Sequence, residues 1–437
     1  MKWYASCITL FSIMHRGLAE NAVEKDTGAC NAPGAEPDHM SVLQVKGSAS
    51  ESFSKAVPFD TIFFMGTNLM PVLNVSIGKS PPQPLLIDTG SSSMAFCDPS
   101  LESVAESTAD KLDSIWCAHY QPGGAIGYVY KGTARVVGYP DRPAYYSIMK
   151  YKYKMPCGSG LQGIAGIGFK NLNTVTKGSY IKPWNYAKVE RQGTAPRCPR
   201  ADEVLPSNLW NFLLGSDNAE HRLGVYWAGK EGPKTGMFYL DDDAVDNEYY
   251  KRGRPQQVVL DMWGWLSIKV PTLRLGNQAW NTAGLCGWSV DGEWDGRQPC
   301  IMDTGTPIIE IPHQVWPRYQ GKLVYPVGQL EIQLDGVNGP VSIVFENSTE
   351  LVEKGWLVPG NSVILGIPFN YYYYTSVDVK KSVVDVVRLT EARREVSKPS
   401  FMGKVASTKW DGGKPGAEWL GKKLQFTPLP KGAVLGN

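Results

Sequence analysis

The sequence predicts a mainly β protein built as two related lobes with a cleft between them. Three observations carry that expectation. Forty-six Gly and thirty-one Pro in 437 residues imply many turns, which suits a chain of short strands better than a helical bundle. An Asp-Thr-Gly triplet directly follows a short apolar run at two places, Asp88-Thr89-Gly90 and Asp303-Thr304-Gly305. Each triplet is followed by a second apolar–glycine element, Gly163-Ile164-Ala165-Gly166-Ile167-Gly168 in one case and Val363-Ile364-Leu365-Gly366-Ile367 in the other. An internal duplication is therefore visible in the one sequence, with each half contributing one loop to a shared cleft.

From the start of the chain, Lys2 and the apolar run Cys7–Met14, followed by Gly17-Leu18-Ala19, read as a secretory signal over residues 1–19. Residues 20–58 are polar and read as a prosegment or N-terminal arm. Strand patterning begins near Thr61: Asn74–Gly78 is a short β run, Lys79-Ser80-Pro81-Pro82 a turn, and Leu85-Leu86-Ile87 an apolar strand broken by Asp88. The first lobe is placed at 59–245 and the second at 246–390, with a polar crossing from Asp241 to Gln257. Ser207–Leu214 reads as one short helix capped by Ser207. Residues 391–437 are basic and rich in Gly and Pro, a C-terminal extension.

Composition narrows the function classes. Forty-four basic against 42 acidic residues give a net charge of +2, which calls for neither nucleic acid nor an anionic membrane as partner. No stretch after the leader approaches the ~18 apolar residues of a spanning helix, so a monomer within the secretory pathway is expected, secreted or in an acidic vacuole-like compartment. Eight cysteines lack the tight spacing of a zinc ribbon and read as disulfides. Cys7 leaves with the leader and Cys30 falls in the arm. The remaining six allow 15 connectivities, of which Cys97–Cys117, Cys157–Cys198 and Cys286–Cys300 close plausible loops. No HExxH and no G-x-S-x-G elbow occurs, and no metal or cofactor is expected. Asp291–Gly296 lacks the spacing of a calcium loop and reads as a charged hairpin tip. Of two glycosylation sequons, Asn74 lies in a strand and Asn347 in a polar stretch better suited to use.

The paired loops suggest a chemistry. Two carboxyl groups sharing one proton can take a proton from water and give one to a carbonyl oxygen. Asp88 and Asp303 are the candidate catalytic pair. Gly90 and Gly305 allow close backbone approach. Thr89 and Thr304 can each hold the opposite loop, while Ser91 and Thr306 can orient the outer carboxylate oxygens.

These residues resemble the pepsin-like aspartic protease family. Leu86-Ile87-Asp88-Thr89-Gly90-Ser91-Ser92 and Ile301-Met302-Asp303-Thr304-Gly305-Thr306 are similar to its two active-site loops. Ile364–Phe369, Tyr372-Tyr373 and Val377-Asp378 resemble its C-terminal strand block. Gly236–Tyr239 and Glu248-Tyr249-Tyr250 resemble the stretch that crosses between its lobes. The likeness covers about residues 60–390. It implies a bilobal acid-protease fold, a peptide or protein substrate cut internally at acidic pH, possible activation from a zymogen, and a hairpin flap carrying a tyrosine. Tyr130 is the favoured flap candidate, ahead of a Gly-Thr turn, with Tyr128 the alternative. The sequence departs from the family at Ala95, where Trp is frequent, at Gln162 in place of Asp, and at Pro307 in place of Ser or Thr. The competing expectation is an inactive binding or inhibitor protein on the same scaffold.

Overall fold

The computed structural model describes residues 56–389 except 65–67, 120–122, 156, 159, 170–171, 207–220, 228–235, 263, 291–292 and 320–321. The leader, nearly all of the arm, the extension over 391–437 and the helix expected at Ser207–Leu214 lie outside the described residues. The protein is mainly β, with 49% strand against 13% helix, so sheet packing sets its architecture.

In the first half, β1 (Ala56–Phe64), β2 (Asn68–Ile77) and β3 (Gln83–Asp88) form an antiparallel series. β1 begins at Ala56, so the arm expected to run to residue 58 ends earlier: Ala56–Phe59 already pair with Gly236–Tyr239. β4 (Met94–Phe96) follows the first Asp-Thr-Gly loop. Next come α1 (Leu101–Thr108), β5 (Asp110–His119), β6 (Gly124–Val136) and β7 (Arg142–Tyr153), the last three paired as long antiparallel hairpins. The β5–β6 pairing extends as far as His119 opposite Gly124. β8 (Leu161–Gly166) and β9 (Thr174–Lys177) complete the part that shapes the site.

The duplication seen in the sequence has a counterpart in the topology. β8 runs parallel to β3, matching Asp88 with Gly166, and antiparallel to β4. In the second half the strand Ile364–Leu365 runs parallel to Cys300–Met302 and antiparallel to Ile309–Pro312. Each Asp-Thr-Gly loop therefore wraps one apolar–glycine element. The glycines are needed for that close approach. A Cβ at Gly166 would lie 2.5 Å from Ser93 N and 2.6 Å from Ser92 N, and one at Gly366 would strike Thr306 O and Ile308 O.

Two hydrophobic cores follow the same division. One gathers residues from Val57 to Leu240 with Ile367, and the other runs from Val258 to Val386. Between them, Arg222–Trp227 pairs with both Gly236–Leu240 and Tyr373–Asp378, joining the halves in one sheet. Arg222 reaches Asp378 and Asp385, whose carboxylates are buried in that sheet. Tyr250 Oη and Gln257 Nε2 also donate to Asp385, at 3.2 and 2.9 Å. The polar crossing contains a short helix, Glu248–Arg252, capped by the Asn247 side chain. The expected hairpin near Asp291 forms, with Ser289 opposite Trp294.

Three disulfides join described residues, as befits an oxidising compartment, and two differ from the expected pairing. Cys286–Cys300 forms as expected. Cys97 pairs with Cys157 and Cys117 with Cys198. Cys97–Cys117 and Cys157–Cys198 are corrected accordingly. Sequence proximity misled here, because β5 departs from Cys97 through α1 while Cys157, leading into β8, is brought beside β4 by the sheet. Among the described residues no helix is long and apolar enough to cross a membrane.

Candidate active site

Asp88 ends β3, and Asp303 directly follows the strand Cys300–Met302. The two loops meet at the junction of the halves, and their carboxyl groups stand next to each other across Gly90 and Gly305. The inner oxygens converge. A Cβ built on Gly90 would sit 3.0 Å from Asp303 Oδ1 and 3.1 Å from Asp88 Oδ1, while one on Gly305 would strike Asp88 Oδ1. Both glycines are therefore required by closeness of approach.

Each carboxylate is oriented from its own loop. Gly90 N donates to Asp88 Oδ1 at 2.7 Å, and Ser91 Oγ to Asp88 Oδ2 at 2.7 Å. Gly305 N donates to Asp303 Oδ1 at 2.9 Å, and Thr306 Oγ1 to Asp303 Oδ2 at 2.5 Å. The same two donors thus act on each side.

The threonines lock the loops to one another. Thr304 Oγ1 accepts from Thr89 N at 3.1 Å and donates to Ile87 O at 3.0 Å. Reciprocally, Thr89 Oγ1 accepts from Thr304 N at 2.9 Å and donates to Met302 O at 3.0 Å. Both side chains are buried, so these bonds form away from competing water. Behind them lies a small apolar cavity lined by Leu266, Met302, Phe369, Val377 and Val384.

The electrostatics follow from burial. Asp88 is 6% exposed. That burial, then the adjacent Asp303 charge, pushes the Asp88 carboxyl well above the usual carboxylate range, and the hydrogen bonds from Ser91 and Gly90 offset only part of the rise. A pair so arranged holds one proton between two groups, and its titration belongs to both.

The structure therefore brings together Asp88, Thr89, Gly90, Ser91, Asp303, Thr304, Gly305 and Thr306. It does not bring Tyr130 to them. Tyr130 lies within β6, fully buried and stacked on Tyr146 with ring centroids 5.9 Å apart. Tyr128, two residues earlier on the same strand face, lies under the Lys111 ammonium. The assignment of Tyr130 as a hairpin-tip tyrosine is corrected: the strand runs through it from Gly124 to Val136, and the end of the β5–β6 pairing is His119 opposite Gly124. Tyr120, the tyrosine nearest that end in sequence, lies outside the described residues.

Two features were missed. Ala95 of β4 is fully buried in a cluster with Trp116, Val129 and Met149, so an indole from β5 fills space beside the small side chain. Glu310 occupies the matching place in the second half: Ala95 pairs with Ile164 and Glu310 with Ile364. The Glu310 carboxylate accepts from Asn361 N at 2.9 Å and Ser362 N at 3.3 Å, and burial raises its pKa. The equal spacing of seven residues from each catalytic candidate could have signalled the equivalence. No family model matches this chain, and no curated protein is similar enough to count as a match.

Proposed function

We propose that the protein is a pepsin-like aspartic endopeptidase that hydrolyses internal peptide bonds in a cleft between two related β lobes. The observation that carries this reading is the convergence of the Asp88 and Asp303 carboxyls between the two loops, each held by one backbone amide and one hydroxyl.

In the proposed mechanism a water molecule sits between the two carboxyls. The ionised carboxylate takes a proton from it as it attacks the scissile carbonyl carbon. The protonated partner donates to the carbonyl oxygen, giving a neutral tetrahedral diol. Breakdown then needs a proton on the departing amine, supplied by the carboxyl that has just received one, while the other carboxylate takes back a proton from a diol hydroxyl as the C–N bond breaks and the acid forms. One shared proton suffices for the cycle because like charges this close do not both ionise readily, as in pepsin's own pair. The cross-loop threonine bonds keep the carboxyls in register, so little reorganisation accompanies the reaction. No cofactor takes part.

The test is digestion of a peptide library between about pH 3 and pH 7, with and without a statine-type transition-state analogue. Cleavage at internal bonds, abolished by the analogue, is expected. A folded protein that cuts nothing and binds no analogue would return the molecule to the binding-protein reading.

A further inference from the structure

Charge is unevenly distributed along the chain. Between Lys150 and Arg200 there are ten basic residues and one acidic residue, Glu190, whereas the whole chain is nearly balanced at 44 to 42. The later part of this stretch, residues 178–204, leaves β9 and crosses the outer face of the β5–β6–β7 sheet. Ile181 is buried there beside Ile115 and Ile126, and Trp184 stacks on Tyr151 with centroids 6.1 Å apart. Asn185 then caps α2 (Tyr186–Gln192), which ends on Gly193 in the left-handed conformation. This helix turns Val189 inward and Lys188 and Arg191 outward. Beyond it, His119 Nε2 lies 3.2 Å from Ala195 O, and the Cys117–Cys198 disulfide ties the segment to β5.

The result is a plate fixed to the hairpin. Lys177, Lys182, Lys188, Arg191, Arg197 and Arg200 are all exposed on this stretch. Elsewhere on the surface some cations find carboxylates, as Lys150 does with Glu102 and Arg252 with Glu248. These six side chains reach no carboxylate within ion-pair distance among the described residues. The nearby acids are few: Glu190 and Glu203 are exposed, and Asp202 accepts from the Lys177 backbone amide at 3.1 Å. Two aromatic rings open to solvent among them, Tyr180 at 74% and Tyr186 at 42% exposure, and offer amphipathic contact area. Unmatched cations so gathered repel one another and attract an anionic partner.

The plate and the candidate site are joined through one hairpin, on its two opposite faces. The opposite face of the same hairpin, with Trp116, Ala125 and Val129, packs on Ala95 of β4. Asn173, immediately before β9, accepts from Ser93 Oγ at 2.7 Å in the loop that carries Asp88.

We propose that this basic, aromatic plate docks an acidic stretch of the polypeptide substrate on the outer face of the half that carries Asp88. The inference rests on the endopeptidase reading and adds a substrate class to it. A polypeptide suits the surface better than a lipid bilayer does. Membrane insertion needs several apolar side chains on the outside, and here Ile181 and Val189 are buried within the plate, leaving Val204 as its one large aliphatic side chain open to solvent.

The experiment compares one cleavable peptide with two extended forms, one carrying a run of Glu and the other a run of Gln. At low ionic strength and a pH above the carboxylate range, the Glu extension is expected to lower KM by about tenfold with kcat unchanged. The gain should vanish at about 0.5 M salt and below about pH 4, where the extension is uncharged. The triple variant Lys182→Glu, Lys188→Glu, Arg191→Glu should cut the unextended peptide at the parent rate and lose the preference. Fluorescence anisotropy of labelled oligoglutamate, on the parent and the triple variant, reads docking without turnover. Binding confined to the parent supports the surface even if no peptide is cut, a case in which the endopeptidase reading alone fails. Equal KM for the Glu and Gln forms, or oligoglutamate binding that survives the triple variant, overturns the proposal. So does retention on phosphatidylserine vesicles without any preference for the Glu form.

Discussion

At the scale of single residues, space and charge around the carboxyl pair make separate demands. A methyl group at position 305 would strike Asp88 Oδ1, so Gly305→Ala must spread the two carboxyls. We predict that this variant folds but loses about 100-fold or more in kcat/KM, since misplacement by an ångström costs that much. Parent-like melting combined with undiminished cleavage would show that the spacing is unimportant. Charge is tested by pH. The folded-state pKa of Asp88 is raised, so the folded protein holds a proton that the unfolded chain releases. The associated stability is fully present below the ordinary carboxylate range and is lost as pH rises through the folded value. Asp303→Asn removes the Coulombic part of that penalty. We predict that its melting temperature, relative to the parent, climbs by about 3 °C or more from acid to mildly alkaline pH. A difference that stays constant with pH would argue that the two carboxyls do not interact.

At the scale of the loop and the strand, the cross-bonded threonines are the test. Thr89→Val removes a donor to Met302 O and an acceptor for Thr304 N, both buried. A loss of about 1–3 kcal/mol in chemical denaturation is expected, because the abandoned partners cannot reach water. No loss would mean that the loops are held elsewhere. This level was only partly legible in the sequence. The Asp-Thr-Gly triplets and their glycine-bearing partners could be read because chemistry and close approach restrict those positions to few residue types. The hairpin tip was misplaced because Tyr128 and Tyr130 look alike in a strand. α2 was also overlooked, although Asn185 and Gly193 mark its two ends. Its apolar periodicity is weak, since Val189 is its one buried residue. Asn74 and Asn347 show another limit of motifs. The first donates to Asp60 Oδ2 at 2.9 Å from within β2, and the second caps the helix Ser348–Glu353. A sequon does not show that its side chain is already engaged.

At the scale of the whole molecule, long-range ties decide cohesion, and they were the least legible. Cysteine spacing carries little information about which strands become neighbours, so Cys97–Cys157 and Cys117–Cys198 emerged only from the sheet order. Peptide mapping under non-reducing conditions should recover these two pairs, and Cys97–Cys117 or Cys157–Cys198 would contradict the fold. Arg222 is the other tie, compensating Asp378 and Asp385 in the sheet that joins the halves. Arg222→Met leaves buried Asp385 without a cation and Asp378 with only the Lys381 ammonium at 3.9 Å, and a loss of about 3–5 kcal/mol is expected in denaturant titration. A loss within error would show that the carboxylates are satisfied without it. Both ties matter to function through one requirement, that the halves bring Asp88 and Asp303 together. The most direct measurement is kcat/KM on one cleaved peptide for the parent, Asp88→Asn and Asp303→Asn. The account predicts a bell-shaped pH profile for the parent and a fall of about 1,000-fold or more in each folded variant. Parent-like cleavage by either variant would contradict it.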